Sequence, residues 1–188
     1  MLAIPLVLEY QGYFILSCAE VNVMIKLPVY IVSVLLLFAG TQVRAVDYQL
    51  PDLDGQMQSL EQYRGKWLIV NYWATWCKTC MKELPDLAAT YNENRDDHIV
   101  VVGINFESIS QERLRGFVKE KAIPYPVLMS QPVPSTPLGR VFALPTTYII
   151  DPKGKLIAGQ VGLVSQQHLT DYINEKRISE DYVTLAGQ

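Results

Sequence analysis

Cysteine, histidine and positive charge are all scarce in this chain. Three cysteines in 188 residues cannot build a disulfide-stapled scaffold. The two histidines, His98 and His168, are isolated, and no dense Cys/His tract accompanies them, which argues against a multi-metal protein. Basic residues do not outnumber acidic ones. The formal net charge is −3 and the pI is near 5.4, so no nucleic-acid partner is expected. Charged residues make up only 19% against 49% hydrophobic, which excludes a disordered chain or a coiled coil. Glycine and proline are spread thinly and leave no low-complexity segment. What is left suits one folded domain with a short appendage.

Charge is scarcest at the start. Glu9, Glu20, Lys26 and Arg44 are the only charged side chains in 1–45, leaving 14 basic and 17 acidic residues for 46–188. The composition break places a domain boundary near Val46. Leu27 to Val43 is an uncharged run. As a helix it would reach ~26 Å, slightly under a ~30 Å hydrocarbon core. From Met24 the chain reads as a basic start at Lys26, an apolar stretch, Gly40, and small residues at Val43 and Ala45. That pattern suits a secretory signal peptide cut after Ala45, with a retained membrane anchor as the alternative. Met1–Val23 carries two glutamates and no basic residue, the wrong charge for the front of such a signal, so translation is expected to begin at Met24. Cys18 follows Ile15-Leu16-Ser17 without a preceding basic residue, and is expected to be absent from the mature protein. The division is thus 1–45 as leader or anchor, 46–178 as the folded domain and 179–188 as a tail.

The folded domain alternates strand and helix patterns. Tyr48-Gln49-Leu50 and Met57–Leu60 flank a turn at Asp52–Gly55, which predicts a small hairpin. After Arg64-Gly65-Lys66, Trp67–Trp73 has the length and apolarity of a buried strand. A helix is expected over Cys77–Asn94, a second buried strand over Ile99–Asn105 and an amphipathic helix over Gln111–Ala122. Pro124–Met129 reads as a short extended piece, and Gln131–Pro137 as a proline-rich loop. Thr146–Ile150 and Lys155–Val161 form a hairpin, Gln166–Lys176 a last helix, and Ile178–Gln188 a frayed end. The order is α/β: a βαβ unit, then a hairpin and helix. Leu68–Tyr72 and Val100–Ile104 are too apolar to face water, so a mixed sheet flanked by helices is expected.

The chemistry concentrates at Trp76-Cys77-Lys78-Thr79-Cys80. Cysteines three apart in a first helical turn share one face, within reach of a disulfide. At a helix start, unpaired N–H groups and the positive helix end stabilise a thiolate on Cys77, and Lys78 adds charge nearby. A thiolate at neutral pH is the nucleophile of thiol–disulfide exchange, so Cys77 is expected to be reachable from the surface. Cys80, a turn deeper, is expected to be less exposed and to resolve the mixed disulfide. A structural zinc site would need two more ligands, which the isolated histidines do not supply. Copper would suit the thiolates, but no Met or His clusters beside them. No metal is expected.

Here the sequence resembles the thioredoxin superfamily, and most closely its TlpA/ResA/CcmG-type branch of exported disulfide reductases. The likeness spans about Tyr48 to Lys176. It rests on Val70–Cys77 with Cys80, on Pro85 five residues later, on Leu144-Pro145-Thr146-Thr147-Tyr148-Ile149-Ile150-Asp151, and on the N-terminal hairpin residues. The resemblance implies a thioredoxin-like fold with an N-terminal β-hairpin extension. It implies a kink at Pro85, and a cis peptide at Pro145 that turns the backbone of Leu144 toward substrate. Trp76, Leu144, Pro145 and Thr146 then line the substrate groove, while Trp73 is expected in the core. Many thioredoxins carry a buried Asp at the position of Asn71; this branch carries acids elsewhere, matching Glu83 and Glu107. One or both are expected to tune the thiols or relay a proton to Cys80.

The function implied is an exported thiol–disulfide oxidoreductase, in the reductase direction, with apocytochrome or assembly-factor disulfides of cytochrome c maturation as the implied examples of substrate. No flavin or nicotinamide motif occurs, so the redox-active disulfide Cys77–Cys80 is the expected working group, with no cofactor. Expected partners are protein disulfide substrates and a membrane thiol electron donor, and the chain is expected to be a monomer in the periplasm or another extracytoplasmic compartment. A disulfide oxidase and a copper or haem-assembly chaperone without turnover stay open. A peroxiredoxin shares the hairpin, but Trp73–Cys77 lacks the Pro-x-x-x-Thr-x-x-Cys spacing it needs.

Overall fold

The computed structural model describes residues 48–94 and 98–186, with side chains described to Ser179. The leader or anchor, Met24, Cys18 and the boundary near Val46 lie outside the described residues. Among the described residues no helix is long and apolar enough to cross a membrane.

A two-stranded antiparallel hairpin opens the domain, β1 (Gln49–Pro51) and β2 (Met57–Ser59). Its turn is closed by the Asp52 carboxylate, which accepts from the backbone N–H of Asp54 and Gln56, and Gly55 supplies the positive φ of 78°. A single 3-10 turn, Leu60–Tyr63, leads into the main sheet. Its strands are β3 (Trp67–Trp73), β4 (Ile99–Phe106), β5 (Val127–Ser130), β6 (Thr146–Ile150) and β7 (Leu156–Val161), in the order β5-β4-β3-β6-β7. β3 and β5 run parallel to β4, while β6 runs antiparallel to β3 and β7 to β6. The helices are α1 (Lys78–Glu93), α2 (Gln111–Glu120) and α3 (Gln166–Ala186).

Every residue of β3 and β4 is buried, as their unbroken apolar runs require. The alternation of side chains divides the core in two. Trp67, Ile69 and Trp73 join Val101, Leu114, Leu87, Cys77 and Cys80 on one face. Leu68, Val70 and Tyr72 join Val102, Ile104, Phe106, Leu138 and Tyr148 on the other. Ser110 caps α2, its hydroxyl accepting from Arg113 N. The hairpin turn is tied to α2: Gln111 and Arg115 both donate to the Leu53 carbonyl, and Arg115 pairs with Asp54 at 2.9 Å.

Several boundaries differ from expectation by a residue or two, and three differences have a clear physical reason. β5 begins at Val127 rather than Pro124, because Pro124 and Pro126 have no N–H for a ladder. α1 begins at Lys78, with Cys77 as its cap. α3 continues ten residues past the predicted Lys176, to Ala186. No glycine or proline interrupts Ile178–Ala186; the first breaker is Gly187.

Candidate active site

The end of β3 delivers the cysteine pair. Cys77 takes the extended conformation of an N-cap, φ −79° and ψ 100°, and its sulfur accepts from Cys80 N at 3.1 Å. The helix starts directly after Cys77, and one of its first free N–H groups, that of Cys80, is directed at Cys77 Sγ. Cys77 and Cys80 are joined as a disulfide, with Cα atoms 5.3 Å apart. Cys80 is fully buried and Cys77 retains 5% of its surface. Cys77 is therefore more enclosed than its expected role suggests, and it belongs to the same buried cluster as Trp73, Ala74 and Val164. Trp76, by contrast, stands 67% exposed beside it.

Strand pairing brings the proline turn to the same end of the sheet. Tyr72 faces Thr146, so Pro145 stands next, opposite the end of β3. The Leu144–Pro145 peptide is cis, as the resemblance implies. The Pro145 carbonyl accepts from Gly162 N at 2.8 Å, and Thr146 Oγ1 donates to the Ala143 carbonyl at 2.7 Å. Leu144 packs partly buried between the two core faces. Pro85 lies inside α1, which runs on through it to Glu93. It leaves the Met81 carbonyl without its helical donor.

Glu83 and Glu107 have different surroundings. Glu83 lies one turn after Cys80 on α1 and is 1% exposed. Its Oε1 accepts from Asn71 Nδ2 at 2.7 Å and its Oε2 from Val164 N at 3.1 Å. Asn71 also donates to Thr147 Oγ1 at 3.0 Å. Burial raises the Glu83 carboxyl to about 7; the Val164 and Asn71 donors pull the other way, and the Asp86 charge adds a smaller upward push. Tyr125, buried on the same face, is held well above the ordinary phenol range, first by burial and then by the Glu83 charge. Glu107, at the end of β4, is half-buried and turned toward the loop before Cys77. Its Oε1 accepts from Thr75 N at 2.7 Å and Asn105 Nδ2 at 2.8 Å, and its Oε2 from Thr75 Oγ1 at 3.2 Å.

The sequence points to Asn71 and both acids but marks no role for Val164, Thr147, Thr75 or Asn105. A backbone donor such as Val164 N carries no side-chain signature. Asn105 and Thr147 share a sheet face with Asn71 through the register Asn71↔Gly103 and Asn71↔Thr147, which pairing decides.

A thioredoxin-like fold with a Cys-x-x-Cys disulfide at the start of α1, a neighbouring cis proline and a buried acid one turn on defines a thiol–disulfide oxidoreductase type of site. Residues 41–158 match the AhpC/TSA family, and the chain belongs to that family. It is 33% identical over 128 residues to "Thioredoxin-like protein YneN" of Bacillus subtilis, covering 67% of this chain and 74% of that one. To "Thiol-disulfide oxidoreductase ResA" of the same organism it is 29% identical over 130 residues, covering 69% and 72%. Among solved structures it resembles a secreted thiol-disulfide isomerase from Corynebacterium glutamicum, with a TM-score of 0.63, 26% identity, and 68% and 81% of the two chains covered. These likenesses place it with the TlpA/ResA/CcmG-like oxidoreductases rather than with an unrelated user of the same fold.

Proposed function

We propose that the protein is an exported reductase of protein disulfides. In the dithiol form the Cys77 thiolate attacks one sulfur of a substrate disulfide. A mixed disulfide forms, and the other substrate sulfur leaves as a thiolate that takes up a proton. Cys80 then gives up its proton and attacks Cys77 Sγ. The second substrate sulfur leaves, and the enzyme is left with the Cys77–Cys80 disulfide. Two electrons have passed from the cysteine pair to the substrate.

The observation that carries this reading is the position of Cys77 as a sulfur cap, with Cys80 N directed at its Sγ. The same donor and the helix end would stabilise the thiolate of the reduced form. Glu83, with its carboxyl near 7, accepts the Cys80 proton at neutral pH. Glu107 acts as a positioning residue, holding Thr75 and so the loop that presents Trp76 and Cys77. Trp76, Leu144, Pro145 and Thr146 border the groove for an extended substrate segment, and the break in bonding at Pro85 leaves the first turn of α1 free to present the cysteines.

Export is supported by the signal-like segment read in 24–45 and by the description of the Corynebacterium relative as secreted. Cleavage after Ala45 or retention as an anchor both keep the domain extracytoplasmic. The reducing equivalents come through protein thiols, since the sequence carries no flavin or nicotinamide motif, and the donor proposed, as the likeness to the TlpA/ResA/CcmG branch implies, is a membrane thiol carrier. Cytochrome c maturation is the process proposed, with apocytochrome or assembly-factor disulfides as substrates, and the working unit is a monomer.

The test is a Cys80→Ala variant of the exported chain, which traps substrates on Cys77, together with a redox titration of the wild type against glutathione. Trapped proteins containing a Cys-x-x-Cys-His haem-attachment sequence, and a midpoint nearer the roughly −270 mV of thioredoxin than the roughly −120 mV of a strong oxidase, support the proposal. A strongly oxidising pair overturns the direction. Stoichiometric Cu(I) binding without disulfide turnover replaces the enzyme with a chaperone, and peroxide consumption under thiol recycling replaces it with a peroxidase.

A further inference from the structure

The stretch between β5 and Pro145 is buried at one end and thrust into solvent at the other. Leu138 is 1% exposed and packs in the second core face. Thr136 and Gly139 exchange backbone bonds of 2.8 and 3.0 Å. Tyr72 OH donates to Thr136 Oγ1 at 3.1 Å, and Tyr148 OH to the Arg140 carbonyl at 2.8 Å. Gly139 has φ +136°, and a Cβ there would stand 2.8 Å from the Tyr148 hydroxyl oxygen. Two core tyrosines therefore hold this loop in one shape, despite its prolines and its lack of regular structure.

What the anchored loop presents is an aromatic ring. Phe142 is 71% exposed, and the Arg140 guanidinium lies 4.5 Å over it. One face of the ring is covered by the cation and the rest stays wet, which costs apolar hydration and brings the fold no packing in return. Phe142 is three residues before Pro145, so it lies within ~10 Å of the turn beside the disulfide. Two cations, Arg140 and Lys78, flank this end of the domain, and neither makes a salt bridge among the described residues. The nearby carboxylate of Glu107 is turned into Thr75 and Asn105. The rim of the site thus joins exposed aromatic surface to uncompensated positive charge.

We propose that Arg140 and Phe142 form a specificity shelf for a substrate segment that carries a carboxylate and an apolar side chain within a few residues of its reactive cysteine. The proposal rests on the exchange reading above and adds the substrate class. The stack fixes the guanidinium plane before binding, so its edge meets a carboxylate with little further ordering. The open part of the Phe142 ring takes the apolar side chain, and the intervening backbone runs toward Leu144 and Cys77. The bonds made and broken at sulfur are those of the reduction already described; the shelf changes only which disulfides reach Cys77.

The test uses disulfide-linked homodimers of short synthetic peptides in which Glu-Leu, Lys-Leu or Glu-Ser precedes the cysteine, reduced by the dithiol form of the full chain at low ionic strength. Hydroxyethyl disulfide, which has neither feature, serves as the reference substrate. The Glu-Leu dimer is expected to have a kcat/KM about tenfold above the Lys-Leu dimer, a difference near 1.4 kcal/mol, and above the Glu-Ser dimer by a smaller factor. Arg140→Glu is expected to erase or invert the Glu/Lys ratio, and Phe142→Ala to erase the Leu/Ser ratio. Each ratio is independent of the folded fraction of the variant. Equal rates for the three dimers with wild type, or a ratio that survives Arg140→Glu, overturn the shelf. Failure of wild type to reduce hydroxyethyl disulfide as well overturns the exchange reading itself, and the shelf with it.

Discussion

Glu83 and Glu107 are the same side chain at the same end of the same sheet, yet the fold treats them differently. Glu83 is sealed in the core one helical turn beyond Cys80 and is met by two neutral donors, Asn71 and Val164. Glu107 is half-exposed and is met by three, two of them from Thr75. The count of donors does not decide what a carboxylate can do here. Loss of water does, because desolvation is the cause that lifts Glu83 to about 7 despite its hydrogen bonds. A sealed acid near neutrality can carry a proton; an acid bonded into a loop can hold that loop still.

The largest expected break in this comparison is in stability against pH. Glu83 binds its proton more tightly in the folded state, near 7, than the ordinary 4.5. Between those values the folded state holds more protons, so the contribution of Glu83 is greatest below about pH 4.5 and is lost as pH rises through about 7. The shift corresponds to about 3 kcal/mol. Glu83→Gln should remove that decline, and Glu107→Gln should leave it in place. Urea titrations of the oxidised protein at several pH values measure both, and identical slopes in the two variants would erase the distinction.

Next in size is the chemistry. Glu83→Gln is expected to slow the resolving attack of Cys80 by about 10²-fold near neutral pH, as loss of a general base does. It should also remove the rise in rate near pH 7. Glu107→Gln is expected to change that step by less than about threefold. Stopped-flow decay of a preformed mixed disulfide on Cys77 reads the step directly. Comparable losses in both variants would make Glu107 a second relay.

The smallest effect should be local. Glu107→Ala strips the Thr75 amide of its acceptor, at a cost of roughly 1–2 kcal/mol. Amide hydrogen exchange at Thr75 should then accelerate while Val164 keeps its protection. Protection lost at both amides would show that the two acids support one unit.

The legible parts of this protein were those in which local pattern and burial agree. Trp67–Trp73 reads as a buried strand and is β3 residue for residue, since an unbroken apolar run of that length has few other uses. The cysteine pair reads as a helix start because a strand ends directly before it. Less legible was the end of α3, where Ile178–Ala186 has no clear apolar period in the sequence, yet nothing stops the helix before Gly187. The loop from Gln131 shows its prolines in the sequence but not its anchor, because Tyr72, which holds Thr136, lies 64 residues away. For Glu83 the helical spacing from Cys80 was visible, while the degree of burial was not.

By itself the sequence determined that two sulfurs open a helix after a buried strand, since that requires only spacing and periodicity within a few residues. Tertiary structure alone decided which carboxylate loses its water. Glu83 is sealed by a backbone N–H 81 residues downstream, brought to it by the return of the chain along β6 and β7. Periodicity places a side chain on a face of its own element; only packing between distant elements removes the solvent that would otherwise keep that group ordinary.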